Sequence, residues 1–295
     1  MTRPWSFVTH IDKKTAQIKH RLLQIVVLAS DEFIECHVKE KRMELHGATA
    51  LVTGVGIDNL GHHLVRQLIE RGATRVYAAA RRPENVHVDE AEIIRLDLTD
   101  AASIEGAARA AADVDILINN AATFAGDLNF IDADLDRVRR LFETNFYGTL
   151  RMVQAFTPIL EHNGGGAILN VLSAAAWSHL DGVDVYGATK AAGWRMTESL
   201  RHELAPRGIQ VSSLLFGMAA TPTLRAYADA VAGPGVMDAM MTPPAEIARI
   251  ALDGIEAGRS QILGDRLAVD ARAALADDPE PVVITSPRVV AHGVS

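Results

Sequence analysis

From Thr49 onward, short apolar runs alternate with stretches in which apolar residues recur every three or four positions. Residues 50–53 are apolar and run into Gly54, and Leu60, Leu64, Val65, Leu68 and Ile69 then fall at helical spacing until Gly72 ends the pattern. The same alternation predicts strands over 75–80, 93–98, 114–119, 167–173, 209–216 and 261–264. Between them it predicts helices over 101–112, 134–162, 186–207 and 244–257. Strands that are apolar on both faces, separated by helices of ten or more residues, predict an α/β fold. Its parallel sheet is covered by helices on both faces. No repeat and no Pro- or Ser-rich linker interrupts this pattern, so residues 46–265 read as one doubly wound domain.

The flanks read differently. Residues 1–45 are rich in charge around the apolar run 22–29, and Ile11, Ile18, Leu22 and Ile25 have the spacing of an amphipathic helix. The same run, preceded by basic residues and closed by Ala29 and Ser30, has the outline of a signal-peptide core. A third reading makes this segment an appended leader before Met43. Residues 266–295 read as a C-terminal tail, irregular after about Asp277, where Pro279, Pro281 and Pro287 fall.

Composition narrows the function classes. The 295 residues are 48% hydrophobic, too apolar for an intrinsically disordered chain. Twenty-nine Lys and Arg against 37 Asp and Glu leave a net charge of -8, with no basic field to attract nucleic acid. The lone cysteine, Cys36, cannot form an intramolecular disulfide, which fits a cytoplasmic protein. No run approaches the ~18 apolar residues of a membrane span. The 11 histidines have no metal-ligand spacing, so no metal is expected.

Candidate chemistry begins where the first strand enters the first helix, at Thr53-Gly54-Val55-Gly56-Ile57-Asp58-Asn59-Leu60-Gly61. A doubly wound, Rossmann-type sheet places a dinucleotide pyrophosphate here: glycines allow close backbone approach, and the helix N-terminus favours negative charge. The second strand ends Ala78-Ala79-Ala80-Arg81-Arg82, with no acid for a ribose 2′-hydroxyl. Two guanidinium groups suit a 2′-phosphate, so NADP is favoured over NAD. Asp97, with Leu98 beside it, closes the third strand and is placed to accept from an adenine amino group. Asn119-Asn120-Ala121 closes the fourth, where Asn119 reads chiefly as structural. Further on, Ser173 ends a strand, Tyr186 follows thirteen positions later, and Lys190 lies one helical turn beyond it on the same face. A tyrosine with its ordinary pKa of about 10 is a poor base. A neighbouring ammonium stabilises the phenolate and makes it a usable acid/base, and a serine hydroxyl can hold the substrate oxygen.

Together these residues resemble the short-chain dehydrogenase/reductase family over residues 47–265. The matching pieces are Thr53-Gly54 with Gly61, Asp97, Asn119-Asn120-Ala121, Asn145, Ser173, Tyr186-x-x-x-Lys190, and Gly217 before Thr221-Pro222. The resemblance implies an NAD(P)-dependent oxidoreductase acting on a carbonyl/alcohol pair. It assigns proton transfer to Tyr186, and to Lys190 the nicotinamide ribose and the lowering of the tyrosine pKa. Ser173 would stabilise the substrate oxygen, and Asn145 would anchor a relay water. Thr221 would contact the nicotinamide carboxamide, and Arg81, ahead of Arg82, the 2′-phosphate. Gly54, Asn59, Leu60, Gly61, Leu98, Asn119, Ala121 and Gly217 would complete the cofactor site.

The sequence also departs from the family. Gly54 and Gly61 lie one residue too far apart, so Asn59 takes the middle glycine's place; asparagine's tolerance of left-handed backbone predicts such a turn there. Ala122 replaces a glycine, and Phe216 a common proline. The enoyl reductase branch, which spaces its tyrosine and lysine by seven, is excluded because position 193 is glycine.

Residues 218–244 would cover the substrate; they are small and apolar, with Met237, Met240 and Met241 near the end. Methionines adapt to irregular apolar ligands and also pack lid helices. His179 and Asp184 are candidates to line the entrance. The two long helices carry apolar residues on more than one face, and the resemblance implies a homodimer or homotetramer. The expected partner is a small-molecule carbonyl or alcohol substrate. The alternative is a non-catalytic nucleotide-sensing or scaffold protein that retains the fold.

Overall fold

The computed structural model describes residues 43–179 and 182–276. The expectations for residues 1–42, for Cys36 and for the tail from Asp277 lie outside these residues. The strands are β1 (Thr49–Thr53), β2 (Arg75–Ala80), β3 (Glu92–Arg95), β4 (Ile116–Asn119), β5 (Gly166–Val171), β6 (Ile209–Leu215), β7 (Met218–Ala219), β8 (Met241–Thr242) and β9 (Gln261–Leu263). The helices are α1 (Leu60–Glu70), α2 (Ala101–Ala110), α3 (Leu135–Phe142), α4 (Thr149–His162), α5 (Asp184–Leu204), α6 (Pro222–Ala232), α7 (Pro244–Glu256) and α8 (Arg266–Ala274). Seven strands form one sheet in the order β3-β2-β1-β4-β5-β6-β9, each pair parallel. The fold is the expected doubly wound α/β sheet of Rossmann type.

Side chains along each strand alternate between two cores. Ala50, Val52, Ile116, Ile118 and Leu169 face one side, where Leu64, Val65 and Leu68 of α1 and Ile247, Ala251, Leu252 and Ile255 of α7 cover them. Leu51, Leu117 and Ile168 face the other, under Ile104 of α2, Met152, Phe156 and Leu160 of α4, and Leu200 of α5. A strand buried on both faces must be apolar throughout, which is why these strands read as continuous runs. Order reverses between β1 and β4: the chain goes outward through β2 and β3, then returns to build β4, β5 and β6 on the other side. The carboxyl ends of β1 and β4 therefore diverge and open a crevice.

Three features depart from the sequence reading. The run over 134–162 is not one α-helix, because residues Glu143–Gly148 form a π-helical turn between α3 and α4. A π turn takes in an extra residue and re-aims the side chains it carries, here Asn145. Apolar periodicity does not register one added residue. The segment 218–244 is ordered into α6 and a two-stranded parallel ribbon of β7 and β8, pairing Met218 with Met241. Residues 266–274, expected to begin a tail, form α8, whose Ala268 and Ala271 pack with Leu172, Leu215, Trp177 and Trp194. Small residues make a weak helical signature, so this helix is recognised only through what it covers.

Phe156 is fully buried in the second core. Phe156→Ala is expected to cost ~3–5 kcal/mol of unfolding free energy, measured as a lowered urea midpoint at unchanged slope.

Candidate active site

The crevice is closed at its floor by one hydroxyl. Thr53 Oγ1, at the end of β1, donates to Ile118 O and accepts from the backbone N–H groups of Asn120 and Ala121, each at 3.0 Å. Asn120 returns the link, its Nδ2 donating to Thr53 O at 2.8 Å and Gly54 O at 3.2 Å. Gly54 has φ +73°, and a Cβ there would lie 2.5 Å from Ala121 Cα; a Cβ at Gly61 would lie 2.9 Å from Gly54 O. Both positions thus require glycine for close backbone approach. The loop differs from expectation at its middle. Asn59 is extended (φ -97°, ψ 176°) and caps α1, while the left-handed residue is Asp58, at φ +48°. The extra residue moves the turn back by one, and Asn59 is left free to serve as an N-cap.

Arg81 follows β2 and lines the same cavity as Gly54, Asn59 and Leu60. Arg82 lines an adjoining groove with Arg81, Asn85 and the loop 54–57. Asp97 lies two residues beyond β3, which is shorter than expected. Its Oδ1 accepts from Thr99 N and Thr99 Oγ1, and these bonds hold its carboxyl below the usual range. Leu98 also lines the cavity. Asn119 is buried, and its Nδ2 donates to Asn170 Oδ1; Asn170 in turn donates to Thr197 Oγ1 on α5.

At the other end of the cavity, β5 delivers Ser173, whose Oγ caps the short turn Ala174–Ala176 by accepting from Ala175 N. The Tyr186 and Ser173 side chains both line the cavity, the serine hydroxyl close enough to pull the tyrosine pKa down. Lys190 is 4% exposed, donates from Nζ to Val171 O at 3.0 Å and lies 5.5 Å from the centre of the Tyr186 ring. Burial dominates the electrostatics. It raises the Tyr186 pKa above its ordinary value, opposed by the nearby Ser173 hydroxyl, and lowers that of Lys190 to about 8. Burial thus works against the lowering of the tyrosine pKa expected from Lys190. Asn145 is buried on the π turn. Its carboxamide is committed to protein partners: Oδ1 accepts from Thr123 N, and Nδ2 donates to Thr123 O and Thr189 Oγ1. Thr189 Oγ1 donates in turn to Tyr186 O, so the π turn braces the loop after β4 against α5.

Gly217 and Thr221 both line the cavity. Gly217 N donates to Asp265 Oδ2, and a Cβ on Gly217 would strike Leu267 of α8 at 2.5 Å. Thr221 Oγ1 caps α6 by accepting from Leu224 N. These groups share one cavity of ≈ 470 Å³ that runs from the Gly54 loop to Tyr186.

A family model described as short chain dehydrogenase matches residues 48–232. The chain belongs to the short-chain dehydrogenase family. A short-chain dehydrogenase of Penicillium crustosum is 34% identical over 185 residues, 59% of this chain and 66% of that protein, so the match stops just short of two thirds of the relative. The NADP-dependent 3-hydroxy acid dehydrogenase of Schizosaccharomyces pombe is 28% identical over 76% of this chain and 92% of its own. Among solved structures, a short-chain dehydrogenase from Burkholderia cenocepacia in complex with NADP superposes with a TM-score of 0.71. It is 34% identical and covers 80% of this chain and 95% of that one.

Several residues of this short-chain dehydrogenase site escaped the sequence reading. Thr123 and Thr189 hold Asn145, and Phe124 stacks edge-on between Tyr186, at 5.2 Å, and Tyr227 of α6, at 5.0 Å. Tyr227 donates to Gly126 O at 2.7 Å, and a Cβ on Gly126 would fall inside its ring. The Gly126 position was the one available signal, and it becomes readable only once Tyr227 is known to face it. Of the lid methionines, Met218 and Met237 line the cavity. His179 Nδ1 pairs with Asp184 Oδ1 at 3.0 Å, and neither is among the described residues that line the cavity.

Lys190 generates a stability prediction. Its folded pKa of about 8 lies below the ordinary 10.5, so between these values the unfolded chain binds more protons and stability rises with pH. Below pH 8 the buried ammonium carries its full desolvation cost. Lys190→Met is expected to be more stable than the wild type at pH 7, by on the order of 1–3 kcal/mol. The advantage shrinks toward pH 10.5, as followed by urea midpoints without added nucleotide.

Proposed function

We propose that the protein is an NADP(H)-dependent oxidoreductase that interconverts a carbonyl and an alcohol on a small, apolar substrate. The observation that carries this reading is the convergence of Ser173, Tyr186 and Lys190 in the cavity that also takes in Gly54, Asn59 and Arg81. The cradle fits a dinucleotide: two glycines that admit no Cβ, a helix N-terminus, and Arg81 and Arg82 following a strand end without an acid. Gly54, Leu60, Gly61 and Ala121 would receive the pyrophosphate end, and Arg81, with Arg82, a 2′-phosphate. Asp97 and Leu98 would hold the adenine, and Lys190, Gly217 and Thr221 the nicotinamide half. The solved relative in complex with NADP supports this preference.

When bound, the nicotinamide supplies or accepts hydride at the substrate carbon. Ser173 and Tyr186 line the same cavity, so a carbonyl oxygen placed against both hydroxyls would be held by two donors at once. Tyr186 gives the proton to that oxygen in reduction and takes it back in oxidation. Lys190, fixed beneath the ring, is the cation that would stabilise the phenolate. The Asn145 carboxamide sets α5 in place through Thr189, which makes it a positioning residue in this reading.

The substrate end is lined by Phe124, Val183, Leu224, Tyr227, Val231 and Met237. Among the described residues, the charged side chains lining the cavity are Arg81, Asp97 and Lys190. The aromatic and aliphatic lining of this end supports an uncharged, apolar compound. The reading carries with it a cytoplasmic homodimer or homotetramer. Exposed Leu135 and Tyr147 on the long helical stretch support self-association, and no described helix is long and apolar enough to cross a membrane.

Fluorescence titration is expected to give tight NADPH binding and much weaker NADH binding. Arg81→Ala should weaken NADPH ~10-fold while leaving NADH unchanged. Tyr186→Phe should lose at least ~100-fold in turnover with NADPH affinity preserved. NADPH binding without reduction of any carbonyl compound would favour a nucleotide sensor instead, and failure of both nucleotides to bind at millimolar concentration would favour a scaffold. The wall gives a separate expectation. Tyr227→Phe frees α6 from the Gly126 carbonyl and should raise KM for apolar ketones several-fold at unchanged NADPH affinity.

A further inference from the structure

The loop between β1 and α1 is one residue longer than the family spacing, and a single carboxamide spans it. Asn59 Oδ1 accepts from Gly56 N at 3.2 Å and from His62 N at 3.0 Å, while Nδ2 donates to Gly54 O at 2.9 Å. One side chain thus ties the start, the middle and the helical end of the loop. The Gly54 carbonyl also accepts from Asn120, so it is turned into the protein and away from the crevice. The neighbouring carboxylate is drawn aside as well, because Asp58 Oδ1 pairs with His63 Nε2 at 2.9 Å. What remains at the mouth of α1 are the N–H groups of Leu60 and Gly61, the donors that an anion at a helix N-terminus uses.

We propose that Asn59 is a positioning residue for pyrophosphate, holding the lengthened loop in its anion-binding shape by these three bonds, so that glycine at this position weakens nucleotide binding. This rests on the NADP(H) reading above. The physical reason is entropic. Two glycines within the loop give it many alternative shapes, and the carboxamide removes them before the ligand arrives. The opposite expectation is that an asparagine where the family places glycine crowds the pyrophosphate, in which case glycine would improve affinity.

The two expectations separate in one experiment on the full chain. Dissociation constants are measured for the wild type, Asn59→Gly and Asn59→Ser with NADPH and with adenosine 2′-monophosphate, which lacks the pyrophosphate. Thermal midpoints are recorded alongside. Glycine and serine are both accepted at helix N-caps, so α1 itself should persist in each variant. The expected result is a loss of about 10-fold in NADPH affinity in both variants, with adenosine 2′-monophosphate binding within about twofold of wild type. Serine keeps a cap for His62 but cannot reach Gly54 and Gly56 together, so a loss in this variant assigns the effect to the loop. Equal or tighter NADPH binding by Asn59→Gly overturns the proposal. So does an equal loss for both ligands, which would mean general damage. Failure of the wild type to bind NADPH would instead bring down the cofactor reading, and this inference with it.

Discussion

Thr53 stands at the point where two neighbouring strands part company, and its hydroxyl holds them at the distance the crevice needs. It donates to Ile118 O on β4 and accepts the backbone N–H groups of Asn120 and Ala121 just beyond. Those groups would otherwise be unpaired at a strand end that has left the sheet, at a cost of ~1–3 kcal/mol each when buried. With that knot in place, Ala121 lies against Gly54, Gly61 slides beneath the Gly54 carbonyl, and α1 is delivered with its N-terminus facing the opening. Every later feature of the nucleotide end depends on this closure of β1 onto β4.

A second set of buried polar bonds places the reactive end. Asn119, Asn170 and Thr197 form a chain that runs from β4 through β5 into α5, and Thr197 closes it by donating to Gly193 O. Asn145, Thr123 and Thr189 form a parallel chain from the π turn into the same helix, one residue from Lys190. Both chains fix the rotation and height of α5 against the carboxyl edge of the sheet. In a low-dielectric interior such bonds favour one arrangement, since a slipped helix would strand the groups that make them; of the two chains only Asn119 Oδ1 is left buried without a partner. Tyr186 faces the cavity that Ser173 also lines because these bonds hold α5 in this rotation.

The two ends of the cavity differ in character for electrostatic reasons. Charged side chains gather at the nucleotide end, where Arg81 faces the Asp97 region and remains exposed to solvent. The far end is walled by Phe124, Tyr227 and aliphatic residues, so Lys190 is held nearly dry and gives up part of its proton affinity. Burial of Tyr186 and Lys190 works against ionising either group alone. In the proposed reaction, a proton exchanged at Tyr186 would be coupled to whatever charge is brought in beside it.

Local sequence was enough to read the alternation of strands and helices, the parallel sheet and the order Ser173, Tyr186, Lys190. Each rests on a short-range rule: apolar runs where both faces are buried, and a four-residue interval that shares a helix face. Asn59 shows the limit, because its residue type was legible while its role was not. Whether it adopts left-handed backbone or caps α1 depends on where one extra loop residue is absorbed, and Asp58 takes that strain. Asn145 was likewise visible as a candidate, but the π turn that commits its carboxamide to Thr123 and Thr189 leaves no periodic trace. Helix α8 and the Tyr227 contact with Gly126 were missed for a related reason: small residues and isolated aromatics acquire meaning only from what faces them across the fold. Sequence by itself determined most strands and helices and the chemical inventory, since both follow from neighbours along the chain. Only the tertiary structure decided which groups share a cavity, which are spent on bracing it, and how burial divides the protons between Tyr186 and Lys190. Those outcomes depend on atoms brought together from residues far apart in the chain.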